Sequence, residues 1–119
     1  LTVIASMFSE RERLYLSDIV DDADRLARFV DGLTAEDFAA DEKTVLAVER
    51  LFQRITEAVI QIGTDAMEQV GQDIPVGRIR AFGNRLRHDY RRIDARIIFD
   101  TARDDIPPLR AAVFRALED

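Results

Sequence analysis

Arg78-Ile79-Arg80-Ala81-Phe82-Gly83-Asn84-Arg85-Leu86-Arg87-His88-Asp89-Tyr90-Arg91-Arg92-Ile93-Asp94 is the stretch around which this chain reads. It holds the only histidine and one of the two tyrosines. Ile79, Phe82 and Leu86 recur at helical spacing, so a thin apolar seam predicts a helix from about Val76 to Tyr90. Pro75 suits its first position, where a missing N–H goes unused. Residues 78–96 carry seven of the sixteen arginines against two carboxylates, giving +5, while the remaining residues carry −11. Charge sorted in this way faces a partner.

Working outward toward the N-terminus, Asp41 is the expected cap of a long helix that Gly71 closes near Val70. Along it Val45, Val48, Phe52, Ile55, Val59, Ile62 and Ala66 step by three and four, which marks a core stripe and the longest helix of the chain. Before it, Thr34-Ala35-Glu36-Asp37 begins a short helical turn anchored by Phe38. Ser9 and Glu12 read as a capping box that opens a further helix. That helix turns Leu16, Ile19, Val20, Ala23, Leu26, Ala27 and Val30 inward, sets Asp18, Asp21, Asp22 and Arg25 on the opposite face, and ends at Gly32. Beyond the basic stretch, Asp94 caps a helix through Ile97, Ile98 and Ala102. Pro107-Pro108 predicts a break or kink there, and Leu109, Val113 and Leu117 make a last helix. No alternating β pattern or repeat interrupts these elements. The expected fold is all-α, an antiparallel bundle of four to five helices forming one domain over residues 1–119.

The bulk numbers agree. At 119 residues the chain can bury about two thirds of its unfolded surface. Hydrophobic residues at 47% and charged ones at 34% fit a soluble globular protein. No apolar run approaches the roughly 20 residues of a membrane helix, and Leu1-Thr2-Val3-Ile4-Ala5 has no charged leader of a signal peptide. Zero cysteines exclude disulfides and thiolate metal sites and suit a reducing cytoplasm. A net charge of −6 argues against general nucleic-acid affinity, so any such contact is local to the arginine window.

His88 is the one side chain able to exchange a proton near neutral pH. On a helix Asn84 lies one turn before it, rotated by about 40°, where it can orient the ring. Arg85 and Arg87 are close enough to steady a phosphate. A base, an orienting polar group and a charge clamp are the parts that cleave a phosphodiester without metal. A single histidine, no cysteine and no converging carboxylate pair leave metal catalysis unsupported, so no metal or cofactor is expected. Gly-rich phosphate loops and nucleophile elbows are absent.

Asn84-Arg85-Leu86-Arg87-His88-Asp89-Tyr90 followed by Ile93-Asp94 resembles the signature of the HEPN superfamily, in its HepT-like toxin branch. That pattern is an arginine, a polar residue, three more residues, His, any residue and Tyr. The resemblance extends to most of the chain. Leu33-Thr34-Ala35-Glu36-Asp37-Phe38, with Asp41 and Lys43-Thr44, is similar to the family's second element. Thr56-Glu57-Ala58 stands where the long helix often reads Gly-Glu-Ala. Asp104-Asp105-Ile106-Pro107-Pro108-Leu109 matches an Asp-Leu-Pro-Pro-Leu near the end.

The resemblance implies an α-helical homodimer with a composite cleft between motif helices, and metal-independent ribonuclease activity on RNA. It also implies a type VII toxin–antitoxin pair, in which a small nucleotidyltransferase antitoxin adds AMP to the motif tyrosine. Carried over, His88 is the catalytic histidine, Asn84 its polar companion, Tyr90 the modified tyrosine and Glu57 a possible cleft carboxylate. Arg80, Arg85 and Arg87 are the candidates for holding phosphate. One position departs: the motif arginine would stand at 83, where this chain has Gly83. Glycine cannot neutralise a phosphate, and losing such a charge costs about 10²–10³ in rate. Two other readings therefore stand beside the ribonuclease. One is a catalytically impaired HEPN homodimer that binds RNA, nucleotide or its antitoxin; the other is a structural helical bundle with an arginine-rich interaction face.

Overall fold

The computed structural model describes residues 7–89 and 93–118, the side chain of Asp89 excepted. All regular structure among them is helical: α1 (Glu10–Val30), α2 (Ala35–Ala40), α3 (Glu42–Ile62), α4 (Thr64–Val70), α5 (Val76–Asp89) and α6 (Ala95–Glu118). Four of these helices are long, and α2 and α4 span about two turns or less. None among the described residues is long and apolar enough to cross a membrane.

The starts of the helices follow the expected chemistry. Ser9 Oγ accepts from the Glu12 amide at 3.0 Å, and the Glu12 carboxylate accepts from the Ser9 amide at 2.8 Å. Thr34 and Asp37 form a second such box on α2. Asp41 caps α3 by accepting from the Thr44 amide and, at 2.7 Å, from its hydroxyl. These bonds favour the charged form and hold the Asp41 carboxyl below its ordinary range. Asp94 accepts from the Arg96 amide at 2.8 Å at the start of α6.

Helix α1 packs against both α3 and α6, and α2 covers α6 and α3. Phe38 of α2 meets Phe99 of α6 with ring centroids 5.4 Å apart. Helix α5 joins the bundle across α3, where Phe82 meets Phe52 edge-on at 5.0 Å. Ile79, Phe82 and Leu86 are all buried in that contact, so the thin seam forms as expected. Each full burial of such a side chain contributes about 1.5–3 kcal/mol.

Four expectations are corrected. The long helix does not run to Val70: α3 stops at Ile62, Gly63 takes φ +89°, and α4 restarts at Thr64. Only glycine enters that conformation readily, yet the apolar stripe keeps its phase across the single turned residue, so periodicity hides the break. Pro107-Pro108 does not end a helix either, and α6, at 24 residues, is the longest element described. The prolines are exposed, and the carbonyls they leave unpaired belong to Arg103 and Asp104, which also face solvent. An interior proline costs about 3 kcal/mol, and burial of Ile98, Phe99, Ile106, Leu109 and Val113 on either side offsets it.

The third correction is Asp22. It does not share the solvated face of α1; its side chain is 3% exposed and takes guanidiniums from Arg25 and Arg54, each at 2.9 Å. A buried carboxylate persists only with such pairing, and Arg54 comes from α3, beyond the view of any local pattern. Ala27, expected in the core, is exposed beside a groove between α1 and α6.

Candidate functional site

Helix α5 buries one face and presents the other. At about 100° per residue, Gly77, Ala81, Asn84 and His88 fall on the side opposite Ile79, Phe82 and Leu86, and all four are exposed. His88 and Asn84 thus share one outward face a turn apart, as the sequence predicts. Arg85, three residues before His88, is exposed at the edge of that face. No side-chain hydrogen bond or ion pair joins Asn84, Arg85 or His88 to another described residue. A Cβ at Gly77 would meet nothing within 4 Å, so the stripe is open as well as narrow.

The other arginines of α5 are held at its flanks. Arg78 makes a bidentate pair with the buried Asp105 of α6 at 2.6 and 3.0 Å. That carboxylate pushes the Arg78 guanidinium up from its ordinary value, so its charge is locked to the fold. Arg80 donates to Thr64 Oγ1 at 3.4 Å, and Arg87 meets Glu57 Oε2 at 3.2 Å. Seven residues separate the partners on each side, two helical turns, so α5 runs antiparallel to the segment 57–64. Arg80 and Arg87 consequently lie along one edge of α5, away from Arg85. Tyr90 lies outside the described residues.

Gly83 is buried on the α3 side. A Cβ built there would lie 2.5 Å from both Cβ and Cγ2 of Thr56, and nearer still to its hydroxyl oxygen. Thr56 cannot swing aside freely, because its Oγ1 donates to the Phe52 carbonyl at 2.9 Å. The helices cross so closely that only glycine fits, and an arginine at 83 has no room. The charge absent from position 83 is therefore absent for a packing reason. The next guanidinium along that side of α5 is Arg87, one turn on and about 40° round the helix.

Residues 19–116 match the sequence profile described as "Ribonuclease HepT-like". The chain belongs to the HepT-like ribonuclease family. It is 32% identical over 96 residues to a "Probable ribonuclease HepT" of Thermococcus cleftensis, covering 81% of this chain and 86% of that one. It is 30% identical over 106 residues to "Putative RNase TTE0752" of Caldanaerobacter subterraneus subsp. tengcongensis, covering 89% and 94% respectively. No solved structure matches significantly.

In this HepT-like chain the structure brings together Asn84, His88 and Arg85 on one face, and Glu57 with Arg87 on the adjoining edge. Arg80 stands two turns away along that edge. A groove of about 350 Å³ opens beside Arg87, lined by Tyr15, Arg50, Arg54 and Glu57 among others. Sequence reasoning missed Arg11, Thr56 and Gln61 as neighbours of the site. The spacing of Glu57 and Gln61, four apart on a helix, was a usable signal; Arg11 is 50 residues from its partner Gln61 and gave none. No three His, Cys, Asp or Glu side chains converge as metal ligands among the described residues.

Proposed function

We propose that this chain is the toxin of a type VII toxin–antitoxin pair: a homodimeric endoribonuclease that needs no metal. Its cleft forms between two copies of α5, and a nucleotidyltransferase antitoxin silences it by adding AMP to Tyr90. The observation that carries the reading is the outward face of α5. It sets His88 and Asn84 beside Arg85 with no described partner, on a helix whose opposite side is spent on the core.

One histidine cannot be acid and base at once, and symmetry supplies the second. A neutral His88 takes the proton of the ribose 2′-hydroxyl as its oxygen bonds the adjacent phosphorus. A protonated His88 of the second copy gives a proton to the departing 5′-oxygen. Asn84 orients the ring, and the nearby guanidiniums bear the charge growing on the phosphoryl oxygens.

A second reading is favoured by Gly83 sealed against Thr56: a homodimer that keeps the basic face to bind RNA, nucleotide or its antitoxin but turns over poorly. A labelled single-stranded RNA incubated with the protein in EDTA separates the two, with anisotropy read on the same samples. The ribonuclease reading expects cleavage that falls at least about 10²-fold in His88→Ala. Binding without cleavage supports the second reading. RNA affinity that does not fall between 50 and about 200 mM salt removes the arginines from either.

A further inference from the structure

Arg87, next to His88 in sequence, is the end of a chain of contacts that crosses three helices. Arg87 Nη2 donates to Glu57 Oε2 at 3.2 Å. Gln61 Nε2 donates to Glu57 Oε1 at 3.0 Å, so both carboxylate oxygens are engaged. Arg11 of α1 donates from Nη2 to Gln61 Oε1 at 2.7 Å and from Nη1 to the Gln61 carbonyl at 3.3 Å. Its guanidinium also lies over the Tyr15 ring, 4.9 Å from the centroid.

The chain has a direction. An arginine only donates and a carboxylate only accepts, so Gln61 must turn its oxygen to Arg11 and its NH₂ to Glu57. The flipped amide would face donor to donor and acceptor to acceptor. Arg11 thereby fixes the Gln61 amide, the amide fixes the Glu57 carboxylate, and the carboxylate fixes Arg87. The Thr56–Gly83 contact, one residue before Glu57, holds the two backbones at a set distance. Among the four described arginines of α5, Arg78 is committed to Asp105, Arg80 reaches a hydroxyl, and Arg85 has no described partner. Arg87 alone adjoins His88 in sequence and is held by an acid that is itself braced.

We infer that Arg11, Gln61 and Glu57 are positioning residues that hold the Arg87 guanidinium beside His88, to meet a phosphate of the RNA. This rests on the ribonuclease reading and adds to it which arginine serves, and by what it is aimed. All the links are at the surface, where an ion pair shifts a side-chain population by up to about fivefold. The relay therefore acts on geometry and contributes little to global stability.

The experiment compares cleavage of a labelled single-stranded RNA in metal-free buffer by wild type, Arg87→Ala, Arg87→Lys, Glu57→Gln, Arg11→Ala and Arg103→Ala. Arg103 is exposed on α6 and controls for the loss of one positive charge. Arg87→Ala is expected to lose about 10²–10³ in kcat, and Arg87→Lys to recover part of it. Glu57→Gln and Arg11→Ala are each expected to lose about fivefold in kcat with KM within twofold, and Arg103→Ala to match wild type. In parallel, NMR order of the Arg87 Nε–H bond should fall in Arg11→Ala and not in Arg103→Ala. Unchanged order overturns the relay whether or not RNA is cut, and where RNA is cut an Arg11→Ala defect confined to KM does the same. Cleavage unaffected by His88→Ala, with the relay order responding as expected, overturns the ribonuclease reading and leaves the relay standing as a structural device only.

Discussion

Thr56 of α3 occupies the space that a side chain at Gly83 of α5 would need. Alanine at 83 would gain about 1 kcal/mol of helix propensity, but its Cβ would overlap a β-branched residue pinned by its own hydroxyl. Overpacking of this kind costs about 1–3 kcal/mol, so the clash wins. Gly83→Ala is expected to lower the urea midpoint, and Thr56→Gly combined with it to recover most of the loss. The two changes should be strongly non-additive in a double-mutant cycle. Additivity would mean that the helices part without cost. Gly83→Arg alone should destabilise the fold rather than create an active site.

The outward stripe of α5 makes a separate prediction. Gly77 and Ala81 let a second helix approach more closely than the usual 8–10 Å between axes. Open space around Gly77 means that the fold of one copy does not require a glycine there. Gly77→Leu with Ala81→Leu is expected to leave helicity and cooperative melting intact while converting the proposed dimer to a monomer by light scattering. A variant that remains dimeric places the seam elsewhere.

Tyr90 stands two residues past His88 and is followed by Arg91 and Arg92. AMP attached there would set a phosphate beside those arginines and exclude RNA by like charge, whichever reading of the site holds. Co-expression with the proposed nucleotidyltransferase antitoxin, followed by intact-mass measurement, should reveal added AMP units that vanish in Tyr90→Phe. An unmodified chain beside an active transferase would end the idea.

Acid sensitivity should have an identifiable component at the start of α3. The Asp41 carboxyl is depressed in the folded state by the Thr44 hydroxyl and amide. A depressed acid stabilises fully above its unfolded value, near 3.8, and that stabilisation fades as pH falls through the lower folded value. Asp41→Asn keeps a cap but cannot titrate. Melting curves of the two proteins should therefore converge as pH falls below about 4.

Much of the fold was legible because it is written in short-range chemistry. Ser9 with Glu12, Asp41 with Thr44, and the seam of Ile79, Phe82 and Leu86 each declare themselves within one or two turns. The outward placement of Asn84 and His88 follows from the same spacing. What escaped depends on distant partners. Asp22 is buried because Arg54 reaches it from another helix, and Glu57 is braced because Gln61 meets Arg11 across the bundle. Gly83 was visible as a missing charge, yet only the crossing with Thr56 explains why the charge is missing. Pro107-Pro108 misled for the opposite reason: the local rule is sound, but solvent on one side and core on the other overrode it.

That proline pair leaves α6 a helix of two halves. Two consecutive backbone rungs, from the carbonyls of Arg103 and Asp104, are missing on the wet side, while Ile106 and Leu109 keep the dry side packed. Continuity there is maintained by side chains more than by the backbone ladder. The last turns, from Leu109 onward, can therefore open and exchange their amide hydrogens as a unit of their own, without waiting for the first turns to unravel.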